Sequence, residues 1–301
     1  MAFVPLLAAQ NKLAAERTIK YFFIQASASA LIFYFSLHNF YYSGRGVVIG
    51  TSTLPLLGIA LALLLKLGAA PLHFWFPAII EGLAWLPSAL LLTWQKIAPL
   101  ILLWLVRPGM APVLVSCATI SAIVGAAGGM SQLLVRKLIA YSSISHIGWM
   151  LYSILLSKLT LIVYFLIYRL LTLTIIIIFT TTKTFFLTQL FTHQGPLTLS
   201  SRILSLNFLS LGGLPPFLGF LPKWLALKQG ITPIILIIAL ILVICSVVAL
   251  YYYLRFSYSA LIIVFKTPSI ISAQLHSPSS INLLCLFRVT GLPLAIMICT
   301  N

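Results

Sequence analysis

Long apolar stretches separated by short polar segments make up most of this 301-residue chain. The stretches 159–182 and 231–252 lack the regular polar face that a helix on a soluble protein presents to water. A helix needs about 20 apolar residues to cross the hydrocarbon core of a bilayer. The pattern therefore predicts an all-α fold, a polytopic bundle of transmembrane helices.

The apolar stretches predict about 9–10 spans. Nine of them cover residues 19–38, 47–70, 84–105, 111–130, 138–157, 159–181, 202–221, 231–254 and 281–299. Residues 258–265 are too short to cross and are interpreted as re-entrant or interfacial, and residues 1–9 resemble the remnant of a further, partial helix. We therefore expect one integral membrane domain, 1–301, with a core at 19–255 and a C-terminal loop and helix at 256–301.

The charge content supports a membrane location. Only 7% of the residues are charged and 61% are hydrophobic, whereas soluble domains carry about 25% charged residues. The net charge of +16 comes from 18 basic residues against two acidic ones, Glu16 and Glu81. The basic residues stand singly between apolar runs rather than in a stripe, which fits lipid headgroups and argues against nucleic-acid binding.

The four cysteines show no spacing typical of a metal site, so the sequence indicates no haem, iron–sulfur or disulfide framework. The distribution of basic residues between alternate loops places the predicted loops 10–20 and 131–137 together, on the negative side of the membrane.

Two predicted spans are interrupted by glycine and proline, at LLKLGAAP (64–71) and LGGLPP (211–216). Proline removes an amide donor and clashes with the preceding turn. In lipid, the freed backbone groups are tolerated only inside protein or beside water. A simple kink is the alternative at either break. Two broken helices, each with a lysine nearby, favour an ion site.

Three lysines lie in or beside these apolar stretches. A charged lysine at the bilayer centre costs about 3 kcal/mol, so it must be buried, hydrated, paired or neutral. Lys96 lies near the middle of its apolar run, where its ammonium cannot reach the surface, and is the strongest candidate for a proton relay. Lys66 is a second candidate, with snorkelling to the headgroups as the alternative. Lys223 is as compatible with an interfacial lysine as with a relay.

His146 is a further candidate for the relay, because histidine titrates near neutrality. Ser142, Ser145 and His146 share one helix face and could line a hydrated path. The alternative is that these side chains only hydrogen-bond neighbouring helices together.

At these positions the chain closely resembles subunit 2 of mitochondrial NADH:ubiquinone oxidoreductase (respiratory complex I), one of a family of antiporter-like membrane subunits. The matching stretches are IKYFFIQASAS (19–29), KLGAAPLHFWFP (66–77), LTWQKIAP (92–99), RKLIAYSSISHIGWM (136–150) and LSLGGLPPFLGFLPKW (209–224).

The resemblance implies an antiporter-like fold with two discontinuous helices and a row of buried charges at mid-membrane. Lys66 looks like the family's lysine on the first broken helix, Lys96 like the central lysine of the next helix, and Lys223 like the terminal lysine on the second broken helix. The implied function is proton translocation in the membrane arm, coupled to electron transfer from NADH to ubiquinone. The alternatives are a subunit of an Mrp-type cation/proton antiporter and a structural spacer of the membrane arm.

The same resemblance implies a multi-pass protein of the mitochondrial inner membrane that is enzymatic only as a subunit of the NADH:ubiquinone reductase. NADH, FMN, iron–sulfur clusters and ubiquinone are expected elsewhere in the complex, with no redox site, cofactor or metal in this chain. The expected partners are other membrane-arm subunits and phospholipids, with cardiolipin as one candidate.

One departure from the family concerns Lys66. The family has a buried glutamate on a helix whose position would fall before Met1. Glu16 and Glu81 are both expected in loops, so neither replaces it. We therefore expect Lys66 to lack a carboxylate partner within this sequence, whether the start of the subunit is longer or is naturally short.

Overall fold

A computed structural model of the chain describes residues 12–44, 53–182, 199–230 and 233–262. Its helices are α1 (Lys12–Gly44), α2 (Thr53–Leu67), α3 (Trp75–Gly82), α4 (Trp85–Thr93), α5 (Ile97–Val106), α6 (Ala111–Met130), α7 (Val135–Leu156), α8 (Lys158–Thr182), α9 (Leu199–Gly212), α10 (Phe220–Gln229) and α11 (Pro233–Ile262). Short 3-10 turns, Trp94–Lys96 and Arg107–Gly109, join α4 to α5 and α5 to α6. The all-α prediction is confirmed.

Six helices in the described part are long and apolar enough to cross a membrane. They cover Ala14–Tyr41, Trp85–Gly109, Ala111–Met130, Val135–Leu156, Lys158–Thr181 and Ile235–Tyr258. These agree with six of the predicted spans within a few residues, and α2 occupies part of the predicted span 47–70. The predictions for residues 1–9 and 281–299 lie outside the described residues.

The break predicted at 211–216 within the span 202–221 is confirmed, because α9 ends at Gly212 and α10 begins at Phe220. One prediction about helix boundaries was wrong. Residues 258–262 are not a separate interfacial segment, because they continue α11. No glycine or proline separates them from that helix, so nothing in the sequence ends it earlier.

Both glutamates were wrongly expected in loops. Glu16 lies in the first turns of α1 and pairs with Lys20 at 2.6 Å, one turn later. Glu81 lies in α3, with its carboxylate 3.1 Å from Lys137 Nζ. Pro77 does not end α3, because it occupies the first turn, where the missing amide would have no partner in the helix.

The two broken helices repeat one local design. Each first half is followed by a glycine in the left-handed region, Gly68 with φ 71° and Gly213 with φ 81°, where a side chain would add strain. A proline follows three residues later in both, at 71 and at 216. The second halves, α3 and α10, both begin seven residues after the glycine. The two breaks therefore share a left-handed glycine and the same spacing to the second half-helix.

Helix α7 forms the centre of the bundle. It contacts α3, α6, α8, α10 and α11, and most of its side chains are buried. Helices α6 and α7 approach closely: a Cβ added at Gly125 would lie 2.4 Å from Ser145 N, and one at Gly148 would lie 2.7 Å from Ala118 O. Small residues are what allow two helix backbones to pack this tightly in a membrane.

Basic side chains tie three helices together at one end of the bundle. Arg17 Nη1 donates to Ala78 O and Arg136 Nη1 donates to Glu81 O, each at 3.0 Å. Both carbonyls belong to α3, and that of Glu81 lies in its last turn, where the helix itself supplies no donor. Segments 10–20 and 131–137, which the charge distribution had assigned to one side, therefore meet at α3.

Replacing Gly125 by alanine should loosen the α6–α7 contact, because the added methyl would overlap the α7 backbone. Overpacking of this kind costs about 1–3 kcal/mol. We expect a lower fraction of intact, monodisperse protein after heating in detergent. The matched control is Gly109→Ala, whose Cβ would meet only the end of Leu56, at 3.4 Å. Equal heat resistance of the two variants would contradict the close packing of α6 on α7.

Candidate functional site

Lys96 lies at the interruption between α4 and α5, where it ends the 3-10 turn Trp94–Lys96. Pro99 explains the interruption, because it cannot donate to the carbonyl of residue 95 and its ring clashes there. The Lys96 side chain is only 2% exposed. Its Nζ donates to Tyr168 Oη at 3.2 Å. The prediction that Lys96 is buried within its span is thus confirmed by its surroundings.

No carboxylate balances the charge of Lys96. The only side-chain carboxylates of the chain belong to Glu16 and Glu81, which pair with Lys20 and Lys137. The amine of Lys96 instead faces aromatic rings, with its Nζ 4.7 Å from the Tyr168 centroid and 5.6 Å from the Phe76 centroid. Aromatic faces and one hydroxyl stabilise an ammonium by about 2 kcal/mol when water is excluded, far less than bulk water does.

Lys223 is also buried, with 7% of its surface exposed, so the interfacial alternative does not describe it. It lies in the first turn of α10, and its Nζ donates to Gly212 O at 2.9 Å. That carbonyl is available because α9 ends there. A Cβ at Gly213 would lie 2.9 Å from Lys223 Nζ, so the glycine that allows the break also makes room for the amine.

His146 lies on α7, close to the groups that surround both buried lysines. It is 6% exposed, and its Nδ1 is 2.9 Å from Tyr164 Oη. Its ring centroid is 5.1 Å from that of Tyr168, the residue bound by Lys96. Lys223 lines the same small cavity as His146. The structure therefore groups Lys96, His146 and Lys223, which are far apart in the sequence.

Two small cavities meet at His146. One is lined by His146, Trp149, Lys223 and Tyr253 among others, and the second by His146, Tyr164, Tyr168 and Ser210 among others. Each has a volume of about 10 Å³, which is close to the smallest space that can hold one water molecule. His146 and Leu211 line both cavities, so His146 is the polar group shared by the two spaces.

Serine side chains of α7 line the same region. Ser142 and Ser145 are buried and donate to Ile139 O and Ser142 O of their own helix, at 2.8 and 2.7 Å. Their oxygens keep lone pairs that can accept from a neighbour. The hydroxyls of Tyr252 and Tyr253 come close to Ser145 and Ser142 without a well-aligned hydrogen bond. The predicted polar face of α7 is therefore directed into the bundle.

Tyr164 and Tyr168 are functional candidates that the sequence reasoning missed. They lie one turn apart on α8, and both are almost fully buried. Two tyrosines at i and i+4 on a largely apolar helix indicate hydroxyls directed to one neighbour. This spacing could have indicated the two tyrosines. Tyrosines are also common at membrane interfaces, however, and the sequence alone does not show how deep in the membrane these two lie.

Lys66 lies apart from the other members of the predicted relay. It occupies the last turn of α2 and is half-buried. Its backbone carbonyl accepts from Gln25 Nε2 at 3.4 Å. Within the described ranges, no side chain is in hydrogen-bond contact with its Nζ. Glu16 and Glu81 pair with Lys20 and Lys137, so neither of them contacts Lys66.

Comparison with known proteins gives one consistent family. The family model described as "NADH:quinone oxidoreductase/Mrp antiporter, TM" matches residues 1–249, which include all three lysines and His146. NADH-ubiquinone oxidoreductase chain 2 of Anopheles gambiae is 39% identical over 265 residues, 86% of this chain and 76% of the relative. Chain 2 of Aedes aegypti is 38% identical over 289 residues, 94% and 83% of the two chains.

Solved structures share the fold. A chain of respiratory complex I from Thermus thermophilus superposes with a TM-score of 0.76 at 27% identity, covering 95% of this chain and 69% of that one. A chain of the Mrp complex from Dietzia sp. DQ12-45-1b has a TM-score of 0.74 at 16% identity, covering 90% and 56%. The second likeness is one of fold alone.

Proposed function

The chain belongs to the family of NADH-ubiquinone oxidoreductase chain 2, and on that premise we propose that Lys96, His146 and Lys223 form its internal path for protons. As a member of this family it is a proton-translocating, antiporter-like membrane-arm subunit of complex I, a multi-pass protein of the mitochondrial inner membrane. Its partners are other subunits of that complex. The redox cofactors and the ubiquinone site are proposed to lie in those other subunits.

The observation that carries the proposal is the position of His146 between two cavities. One cavity is lined by His146 and Tyr168, whose hydroxyl binds Lys96, and the other is lined by His146 and Lys223. A proton leaving the Lys96 ammonium passes to the Tyr168 oxygen while the hydroxyl proton moves on to a water. That water protonates His146, and a second water completes the transfer toward Lys223. Each step conserves protons and leaves the tyrosine neutral.

The shortage of carboxylates makes the path responsive to charge. Two unit charges about 10 Å apart interact by roughly 1.7 kcal/mol at an effective dielectric constant of 20. No internal anion offsets such changes, because Glu16 and Glu81 are already paired. A charge shift that starts at the quinone site and reaches one lysine would therefore change the proton affinity of the next group.

We propose that Lys66 links this proton path to a neighbouring structural element. Helix α2 packs against the 3-10 turn that holds Lys96, so a change of charge at Lys66 acts close to Lys96. Its counter-charge must come from outside the described residues. Phospholipids remain proposed partners.

The two alternatives have less support. The description of the matching family model includes Mrp antiporters, but the relatives at 38–39% identity are chain 2 of the oxidoreductase, whereas the identity to the Mrp structure is 16%. A structural spacer needs neither two buried lysines without carboxylates nor cavities that meet at a histidine. Buried, uncompensated charge is expensive to maintain, so a spacer would be expected to replace these lysines with apolar residues.

Replacing Lys96 by methionine should reduce NADH-driven proton uptake by the assembled complex in proteoliposomes about tenfold or more. Methionine keeps the volume of the side chain and removes the titratable group, so assembly on a native gel should be unchanged. The control is Lys228→Met, which removes an exposed lysine at the end of α10. Normal pumping by an assembled Lys96→Met complex would refute the lysine relay.

Replacing Tyr168 by phenylalanine tests the hydroxyl separately from the ring. The ring contacts of Lys96 and His146 remain, while the 3.2 Å hydrogen bond is lost. A hydrogen bond to a charged group contributes about 1.5–3 kcal/mol, so we expect proton uptake to fall about tenfold. Tyr251→Phe, at an exposed position of α11, is the control. If Tyr168→Phe pumps as Tyr251→Phe does, Tyr168 lies outside the path.

A further inference from the structure

Two basic side chains share one indole ring at the end of the bundle opposite to the Arg17 and Arg136 contacts. Arg107 Cζ and Lys158 Nζ each lie 5.3 Å from the centroid of the Trp104 ring. Arg107 follows the end of α5 and Lys158 begins α8, so two separate elements bring their charges to the same ring. An aromatic face attracts each cation, but it does not cancel the repulsion between them.

The pair has no anion within the chain. Arg107 Nη1 donates to Ile154 O at 3.2 Å, which occupies one edge of its guanidinium with a neutral acceptor. The two glutamates are bound to Lys20 and Lys137. Because the whole sequence contains no other acidic side chain, no further glutamate or aspartate of this chain can neutralise Arg107 and Lys158. No acidic side chain of this protein is therefore available to them, and an anion from another molecule can supply the counter-charge.

The surface beside the pair is apolar. Ile101 and Leu105 on α5 are 55% and 60% exposed, and Leu159 and Ile162 on α8 are 67% and 46% exposed. These side chains lead away from the two charges along helices that are long enough to cross a membrane. A cationic end joined to an apolar helix surface matches a lipid, whose anionic headgroup is joined to hydrocarbon chains.

We propose that Arg107, Lys158 and Trp104 form a binding site for the phosphate of an anionic membrane phospholipid, with its acyl chains on the exposed faces of α5 and α8. The fork of Arg107 and the flexible ammonium of Lys158 would both contact phosphate oxygens. Trp104 takes part through its ring, which both cations approach, and not through its indole N–H, which is buried. The site does not depend on the proton path.

The test uses the assembled complex in nanodiscs of phosphatidylcholine that contain a trace of photoactivatable phosphatidylglycerol. Cross-linked peptides are identified by mass spectrometry, and labelling of residues 101–111 and 158–166 is expected. Excess phosphatidylglycerol should compete, whereas inorganic phosphate at equal ionic strength and phosphatidylcholine should not. Lys158→Gln should lower the labelling about fivefold, the effect expected for one basic residue at an anionic lipid. Lys158→Arg should retain it.

Lys158 is exposed, so its replacement leaves packing intact, and Lys228→Gln is the matched control because Lys228 also lies on a tryptophan ring, at 5.4 Å. Unchanged labelling of Lys158→Gln would overturn the site. Competition by inorganic phosphate would identify a soluble anion instead of a lipid. Labelling of the wild type no stronger than with a phosphatidylcholine probe would show that another protein subunit covers the pair, and would equally refute the proposal.

Discussion

The imbalance between buried cations and carboxylates constrains everything else in this structure. The chain has 18 basic residues but only two glutamates, which pair with Lys20 and Lys137. The lysines inside the bundle must therefore be stabilised by neutral groups. Lys96 has a tyrosine hydroxyl and aromatic rings, and Lys223 has a helix-end carbonyl. Neutral partners suit groups whose protonation changes, since they leave no fixed anion behind when the proton departs.

The helix breaks supply what these lysines need. A continuous helix uses its own carbonyls, whereas the end of α9 leaves Gly212 O free for Lys223. The left-handed glycine that follows gives both the turn and the room for the amine. Pro99 has a comparable effect beside Lys96, although there the interruption is only a 3-10 turn. The breaks lose backbone hydrogen bonds, and they also create the places where the buried lysines are held.

Much of the fold could be predicted from the sequence, because transmembrane length and apolar content are local properties. The limits of α6 agreed to the residue, and the burial of Lys96 followed from its position in an apolar run. The break at 213–219 was seen as a motif yet placed inside a single span, because apolar residues continue through it. Glu16 was misplaced because a polar sequence at a helix end looks like a loop.

The grouping within the site could not be predicted in the same way. His146 and Lys96 are brought together because α7 and α4 both pack against α8, and Tyr168 of α8 joins them through a hydroxyl whose depth no sequence pattern specifies. The close packing of α6 on α7 depends on glycines, and the sequence does not show which residue of the other helix each glycine contacts. Non-local contacts of this kind appear only in the folded chain. By contrast, the absence of a carboxylate partner for the buried lysines was evident from composition alone.

The central claim is that protons cross this subunit through His146. The most direct measurement is the number of protons moved per NADH oxidised by the assembled complex carrying His146→Asn in proteoliposomes. Asparagine can still hydrogen-bond to Tyr164 but cannot take up a proton at physiological pH. We expect the variant to assemble normally and to pump clearly fewer protons, either per NADH oxidised, per unit time, or both. A His146→Asn complex that assembles and pumps like the wild type would show that protons bypass His146.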